Sequence, residues 1–508
     1  MSDKQSKPNI LFITSDQQRR DCYGFRGRKV QTPHLDLLAS EGTSLETVIT
    51  PCLVCQPARA SILTGLLPRT HGVHDNGIDL DPELGEKGFA ASLSAAGYHT
   101  AMIGKAHFAT YHTFDYTGQV ESITGSAEVP EGWRGPYMGF DHAELILIGH
   151  NWWLPEKPPG GLAYEEWYYS DGRGDMKNKL LWETTREHKG APQVWSSKLP
   201  VAWHNSTWLA DRTIDYIKQE RDQPFCCWVS FPDPHHPFDA PEPWASLHRP
   251  EDVDIPEHRT RNLEGKPWWH KAALESDIPP EHFELRAKYS RMGQLSDEHL
   301  REVTANYYGQ IALIDHSVGR ILTALEEEGL ADNTYIVYTT DHGDWLGDHG
   351  LVLKGPMAYE GLLNIGAIVK GPDVPKGKVS YEPLSTLDLG ATFMDWAGAE
   401  SLMETHGRSM RDVISGDGTR ESALSEWELL PGRVGVGLSL RTVRSKTAKL
   451  TIDLTSQAGE MYDLEKDPHE LTNVFDDPAY SELREQLTEM LMARPDDIQP
   501  NSTPVGLA

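Results

Sequence analysis

The chain has 508 residues, 38% hydrophobic and 24% charged, a balance that excludes bulk disorder and predicts a folded protein of one large or two to three ordinary domains. Its 76 acidic against 47 basic side chains leave a net charge of −29, a field that repels nucleic acid and anionic membrane, so neither is expected as a partner. No apolar run approaches a membrane span, the first eight residues lack a signal-peptide core, and five cysteines (Cys22, Cys52, Cys55, Cys226, Cys227) make no disulfide framework, so a cytoplasmic protein with reduced thiols is expected.

Asn9-Ile10-Leu11-Phe12-Ile13-Thr14 is a short β-branched apolar run that stops at Ser15-Asp16-Gln17-Gln18, as a strand buried on both faces would. The pattern recurs at Thr100-Ala101-Met102-Ile103 before Gly104-Lys105-Ala106-His107, after a helix-like stretch over 89–96 closed by Gly97. It recurs over 225–231 before Pro232-Asp233-Pro234-His235-His236-Pro237, and over 335–340 before Asp341-His342-Gly343-Asp344. Ahead of the last, Tyr307, Ile311, Ile314, Val318, Ile321, Leu322 and Leu325 fall at helical spacing, with Gly329 as the stop. This alternation predicts an α/β fold with a large, mixed, mostly parallel sheet sandwiched by helices. The ligand site of such a sheet lies beyond the carboxyl ends of its strands, where the four polar clusters converge.

Residues 125–280 are rich in Trp, Pro and Gly and, apart from the strand at 225, poorly periodic, so long inserted loops are expected there. Their aromatic groups, Asn151-Trp152-Trp153, Trp167-Tyr168-Tyr169 and Trp268-Trp269, either pack those loops or line a pocket for an aryl group or a quaternary ammonium. Beyond residue 417, strand-like pieces at 438–443 and 448–452 and a helix at 481–492 predict a smaller C-terminal antiparallel α+β subdomain. The division is then a catalytic domain, 1–417, and a subdomain, 418–508. The aromatic loops and residues 494–508 are candidate self-association surfaces.

The most specific segment is Cys55-Gln56-Pro57-Ala58-Arg59-Ala60-Ser61-Ile62-Leu63-Thr64-Gly65. An unpaired cysteine is usually a small buried hydrophobe. Here residues 60–66 read as a helix beginning just after Cys55, whose free N–H groups and dipole favour an anion beside the fixed charge of Arg59. Three residues separate Cys55 from Arg59, too few for a cysteine phosphatase loop, which needs five.

The pattern C-x-P-x-R-x-x-x-L-T-G resembles the signature of the sulfatase family, in which the cysteine is oxidised after translation to formylglycine; Gln56 stands where that family usually has Thr or Ser. The resemblance runs from Pro8-Asn9-Ile10 to residues 461–470, and lies close to the phosphonate monoester hydrolase and choline sulfatase branches. It implies an alkaline phosphatase-like fold and one divalent metal held by Asp16, Gln17, Asp341, His342 and the modified Cys55. Oxygen donors with one imidazole leave Mn²⁺ and Ca²⁺ equally suited. The implied chemistry is a double displacement: one hydroxyl of a formylglycine hydrate attacks sulfur and the other collapses the resulting ester.

Lys105 and His107 match the family's Lys-x-His pair, the Lys on the sulfate oxygens and the His on the diol, a pair the phosphonate hydrolases do not keep. His235, preferred to its neighbour His236, and Lys354 match groups that face the bridging oxygen. Asn76 matches a substrate contact, though a turn residue before Gly77 is nearly as good a reading. The implied activity is arylsulfatase-type hydrolysis of a small-molecule sulfate ester. The alternatives are a phosphonate monoester hydrolase or phosphodiesterase on the same scaffold, a choline- or alkyl-sulfatase, or an inert binding protein with Cys55 unmodified. The implied partners are a formylglycine-generating enzyme during maturation and further copies of the chain in a homo-oligomer.

Overall fold

Residues 7–147, 162–277 and 292–507 are described in a computed structural model of the chain. Eight strands form the main sheet: β1 (Asn9–Ser15), β2 (Thr43–Leu45), β3 (His99–Gly104), β4 (His142–Leu145), β5 (Phe225–Ser230), β6 (Thr334–Thr340), β7 (Ala367–Lys370) and β8 (Lys378–Ser380). Their spatial order is β8-β2-β7-β6-β1-β5-β3-β4, and among the described residues β7 alone runs against the others. All residues of β1, β5 and β6 are buried, which is why their apolar runs are continuous rather than alternating.

The helices that position the site are α1 (Cys55–Thr64), α2 (Phe89–Ala95), α3 (Asn205–Ile217), α4 (Asp297–Glu327), α5 (Asp388–Ala397) and α6 (Ser481–Met492). Alternate residues of β1 serve opposite layers. Ile10 and Phe12 pack with Phe89 and Leu93 of α2 and Phe393 of α5; Leu11 and Ile13 pack with Trp208 of α3 and Ile314, Val318 and Ile321 of α4. The register Ser15↔Thr340, Thr14↔Ser230 and Gly104↔Ser230 aligns the carboxyl ends of β1, β6, β5 and β3. The four polar clusters thus share one edge.

A second sheet, β9 (Ser422–Leu429), β10 (Leu438–Ser445), β11 (Ala448–Asp453) and β12 (Gly459–Asp463), is antiparallel throughout, with α6 on one face through Leu487 and Leu491. Its other face shares a core with the main body, where Trp427, Leu440 and Tyr462 meet Trp345, Tyr359, Leu362 and the Cys52–Val54 approach to α1. Arg444 pairs with Glu360 at 3.1 Å, and Lys449 donates to the Ala358 carbonyl, so this sheet grips the chain just beyond Lys354.

Glu460 on β12 ties pH to stability. Burial alone would raise its carboxyl, but His270 at 3.1 Å, Tyr462 at 2.7 Å and Lys449 outweigh it and hold the group at about 2. A carboxyl lowered in the folded state stabilises above its unfolded value and loses that contribution as pH falls through the folded one. The stability difference between the unaltered protein and Glu460→Gln, measured by denaturant midpoints, is therefore expected to shrink as pH falls from about 5 to 3.

Most described residues of 125–280 lie outside regular elements, but the stretch also carries β4, α3 and helices Ala163–Tyr169, Gly174–Trp182 and Trp268–Glu275, which its weak periodicity does not announce. Of the two aromatic readings, packing holds for Trp167 and Tyr168, which lie with Trp208 in one core and have the Lys177 ammonium 5.3 and 5.1 Å from their rings, and for the buried Trp269, whereas Trp268 is exposed. Asn151-Trp152-Trp153 lies outside the described residues. Residues 494–507, a candidate for self-association, fold back on their own chain: Gln499 N donates to Arg69 O at 2.8 Å, Val505 N to Gly77 O at 2.7 Å, and Gly506–Leu507 pairs with His112–Thr113.

Candidate active site

Asp16 follows β1, Lys105 follows β3, Asp341 and His342 follow β6, and Cys55 is the first residue of α1. The helix therefore starts at Cys55, not after it. Pro57 lies in the first turn, where a missing N–H costs nothing, and Gly65 ends the helix with φ +69°. Val54, in extended conformation, brings no side-chain cap, so the nucleophile position sits at the end where backbone N–H groups lack helical partners. Asn76 serves one of them, its Oδ1 accepting from Gln56 N at 3.0 Å. Gln56, the departure from the family pattern, is a buried clamp: its Nε2 donates to Ile78 O at 2.7 Å and its Oε1 accepts from Gly77 N at 2.8 Å.

Ligand atoms of Asp16, Cys55, Asp341 and His342 lie within 4.8 Å of one another, all four residues buried. His342 Nδ1 donates to Gly343 O at 2.8 Å, leaving Nε2 to face Cys55 Sγ at 3.0 Å. The Lys354 ammonium reaches Gln17 Oε1 at 2.9 Å, Cys55 Sγ at 3.1 Å and His342 Nε2 at 3.2 Å. These lone pairs already receive one cation, and with two carboxylates beside them the donor set fits a divalent metal of the Mn²⁺ or Ca²⁺ kind.

Fixed charge surrounds the cluster. Arg59, fully buried, pairs with Asp341 at 2.8 Å and Asp16 at 3.4 Å, and donates to Lys105 O and Ser230 Oγ, each at 2.8 Å. Lys105 Nζ meets Asp16 at 2.5 Å. Burial would raise the Asp16 carboxyl, but Lys105, His235, Arg59 and Lys354 together hold it well below the usual range. Burial, Lys105 and Arg59 push the His107 imidazole well below its ordinary value, so it is neutral, and neither ring nitrogen has a hydrogen-bond partner. Two orphaned buried nitrogens beside Lys105 await a polar ligand.

His235 and His236 stack with centroids 4.0 Å apart; His236 Nδ1 is 3.4 Å from Gln17 Nε2, whereas His235 is half-buried. All the residues singled out from the sequence thus lie on this edge, with Asn76 engaged on the helix end.

Sequence reasoning missed the groups that orient them. Asp344 Oδ2 accepts from Gln17 Nε2 at 2.6 Å, which leaves the Gln17 oxygen to the Lys354 ammonium; burial raises the Asp344 carboxyl to about 6. Glu121 accepts from the backbone N–H groups of His107, Phe108 (3.0 Å) and Ala109 (3.2 Å) and from the Tyr137 hydroxyl, fixing His107 at φ +57°. Asp344 was at least adjacent to a recognised motif; nothing marks Glu121. A second buried group, His204, Asp233 and Asp239, lies behind the His235 loop, where Ser206 donates to Asp233 and Gln310 to Asp239 (3.1 Å). Backbone bonding at His204 Nδ1, which accepts from Ser206 N at 3.3 Å, suits a hydrogen-bonded support rather than a metal ligand.

A sulfatase family model matches residues 8–399, and a second, described as N-sulphoglucosamine sulphohydrolase, C-terminal, matches residues 347–497. An arylsulfatase of Clostridium perfringens is 30% identical over 513 residues, covering 96% of this chain and 94% of that protein. A choline-sulfatase of Rhizobium meliloti is 27% identical, covering 93% and 83%. Among solved structures, the phosphonate monoester hydrolase of Agrobacterium radiobacter is similar with a TM-score of 0.75 at 25% identity, covering 96% of this chain and 95% of that one.

Proposed function

The chain belongs to the sulfatase family and is a sulfuric ester hydrolase, and on that footing we propose that it hydrolyses aryl sulfate monoesters in the cytoplasm through Cys55 oxidised to formylglycine. The observation that carries the reading is the meeting of Cys55 with Asp16, Asp341 and His342 beside Lys105 and an unpartnered His107. When bound, the cation, Mn²⁺ or Ca²⁺, supplies a Lewis acid, and the oxidised Cys55 supplies a geminal diol in place of the thiol. Asp16, Gln17, Asp341 and His342, with the modified Cys55, would hold the cation.

The remaining residues each have a charge or a proton to place. Arg59 balances the two carboxylates, and the first N–H groups of α1 face the anionic ester. Lys105 binds the sulfate oxygens, and neutral His107 accepts a hydrogen bond or proton at a ring nitrogen. Lys354 and His235 donate to the bridging oxygen as it gains charge. The C. perfringens relative, an arylsulfatase, supports an aryl leaving group. Phosphonate monoester hydrolysis is the second reading, favoured by the likeness to the Agrobacterium enzyme; the Lys105–His107 pair speaks for sulfate.

The test is the rate on 4-nitrophenyl sulfate beside that on an aryl phosphonate monoester, in the unaltered protein and in Lys105→Ala. Sulfate is expected to be preferred, and Lys105→Ala to lower kcat/KM for it by about 10²- to 10³-fold, the effect of removing one charge-stabilising donor. A preference for the phosphonate moves the protein to the second reading; an unchanged sulfate rate in the variant removes Lys105 from the mechanism.

A further inference from the structure

The returning segment 494–507 touches two stretches that carry site residues. Its first part is fastened away from the site, by Arg494 on Glu426 at 2.9 Å and Asp497 on His406 at 2.8 Å. It then runs along residues 69–77, where Ser502 N donates to His74 Nε2 at 3.1 Å and Val505 N to Gly77 O at 2.7 Å, one residue from Asn76. Finally Phe114 N donates to Val505 O at 2.8 Å, and Gly506 pairs with Thr113. The segment thereby ties the Asn76 turn to the stretch that leaves Lys105 and His107.

That second stretch carries Tyr111. Its ring is half-buried, 6.4 Å from the His107 ring between centroids, and its carbonyl accepts from Ile123 N at 2.8 Å. Burial and then the nearby Cys55 push its phenol up, so the side chain stands neutral and within electrostatic reach of the nucleophile. It belongs to none of the charged or metal-binding groups. Two glycines permit the close approach that holds it: a Cβ on Gly506 would collide with the His112 carbonyl, and one on Gly77 would lie 2.5 Å from Gly506 O.

We infer that Tyr111 stands on the leaving-group side of the site, its ring packing against the ring of an aryl leaving group, with residues 499–507 holding the Tyr111 stretch in place. The inference rests on the sulfatase reading and deepens it. Ring packing of this kind is worth a few-fold to about tenfold in binding. It acts on the organic half of the ester and leaves the sulfate half alone.

The experiment measures KM and kcat for 4-nitrophenyl sulfate and the inhibition constant of inorganic sulfate, which probes the sulfate half only, in the unaltered protein, Tyr111→Ala, Tyr111→Phe and Gly506→Val. In Tyr111→Ala and Gly506→Val, KM is expected to rise about three- to tenfold with kcat nearly constant and sulfate inhibition unchanged, while Tyr111→Phe keeps the original KM. Equal rises in KM and in the sulfate constant overturn the inference, because the segment then merely supports Lys105 and His107. Unchanged constants overturn it as well. If the unaltered protein turns over no aryl sulfate, the aryl reading itself fails, and the role of Tyr111 with it.

Discussion

Cys55→Ala is expected to lower turnover of an aryl sulfate by about 10⁴-fold or more, the scale seen when a nucleophile is removed from a site whose other groups remain. The fold is expected to survive. Cys55 Sγ makes polar contacts with His342, Lys354 and, at 3.7 Å, Asp16, yet all three partners are otherwise engaged: His342 through Gly343 O, Lys354 through Gln17 Oε1 and Asp16 through Lys105 and Arg59. The methyl of alanine fits the same helical position, where alanine is the best helix former. A near-unchanged thermal midpoint with lost turnover is the supporting result. Full activity removes Cys55 from the chemistry, and a peptide mass showing an unmodified cysteine in the active, unaltered protein removes the formylglycine.

The second large effect is on stability. Arg59→Met is expected to destabilise the protein by about 3–5 kcal/mol, because it leaves Asp16 and Asp341 as buried charges with one fixed partner fewer. A bound divalent cation would neutralise the same two carboxylates. The loss, read from urea midpoints, should therefore be larger in chelator than in excess Mn²⁺ or Ca²⁺. A loss that ignores the metal would mean that the cation binds elsewhere.

The sheet was legible because β1, β3, β5 and β6 are covered on both faces, so their apolar runs are uninterrupted and each ends abruptly in a polar cluster. α3 was not legible: its buried stripe of Trp208, Leu209, Tyr216 and Ile217 is broken by Asp211 and Arg212 and surrounded by segments without period. The start of α1 was misjudged because Pro57 reads as a helix breaker until it is seen in the first turn. The site's charged residues were legible through a motif that ties them together. Asp344 and Glu121 were not, because each acts on another residue's orientation. Asp344 meets Gln17 across 327 positions of sequence, and Glu121 meets backbone groups that any residue could supply.

Cys55 is 1% exposed in the finished fold, sealed by His342 and by Lys354, which lies 299 positions later in the chain. Synthesis at about 5–20 residues per second delivers that lysine roughly 15–60 s after Cys55 itself. Through that interval the thiol has emerged without the residues that will cover it. If Cys55 is oxidised as proposed, the enzyme that must reach it has a period set by translation rather than by affinity, and slower elongation across residues 55–354 is expected to raise the converted fraction, read by peptide mass.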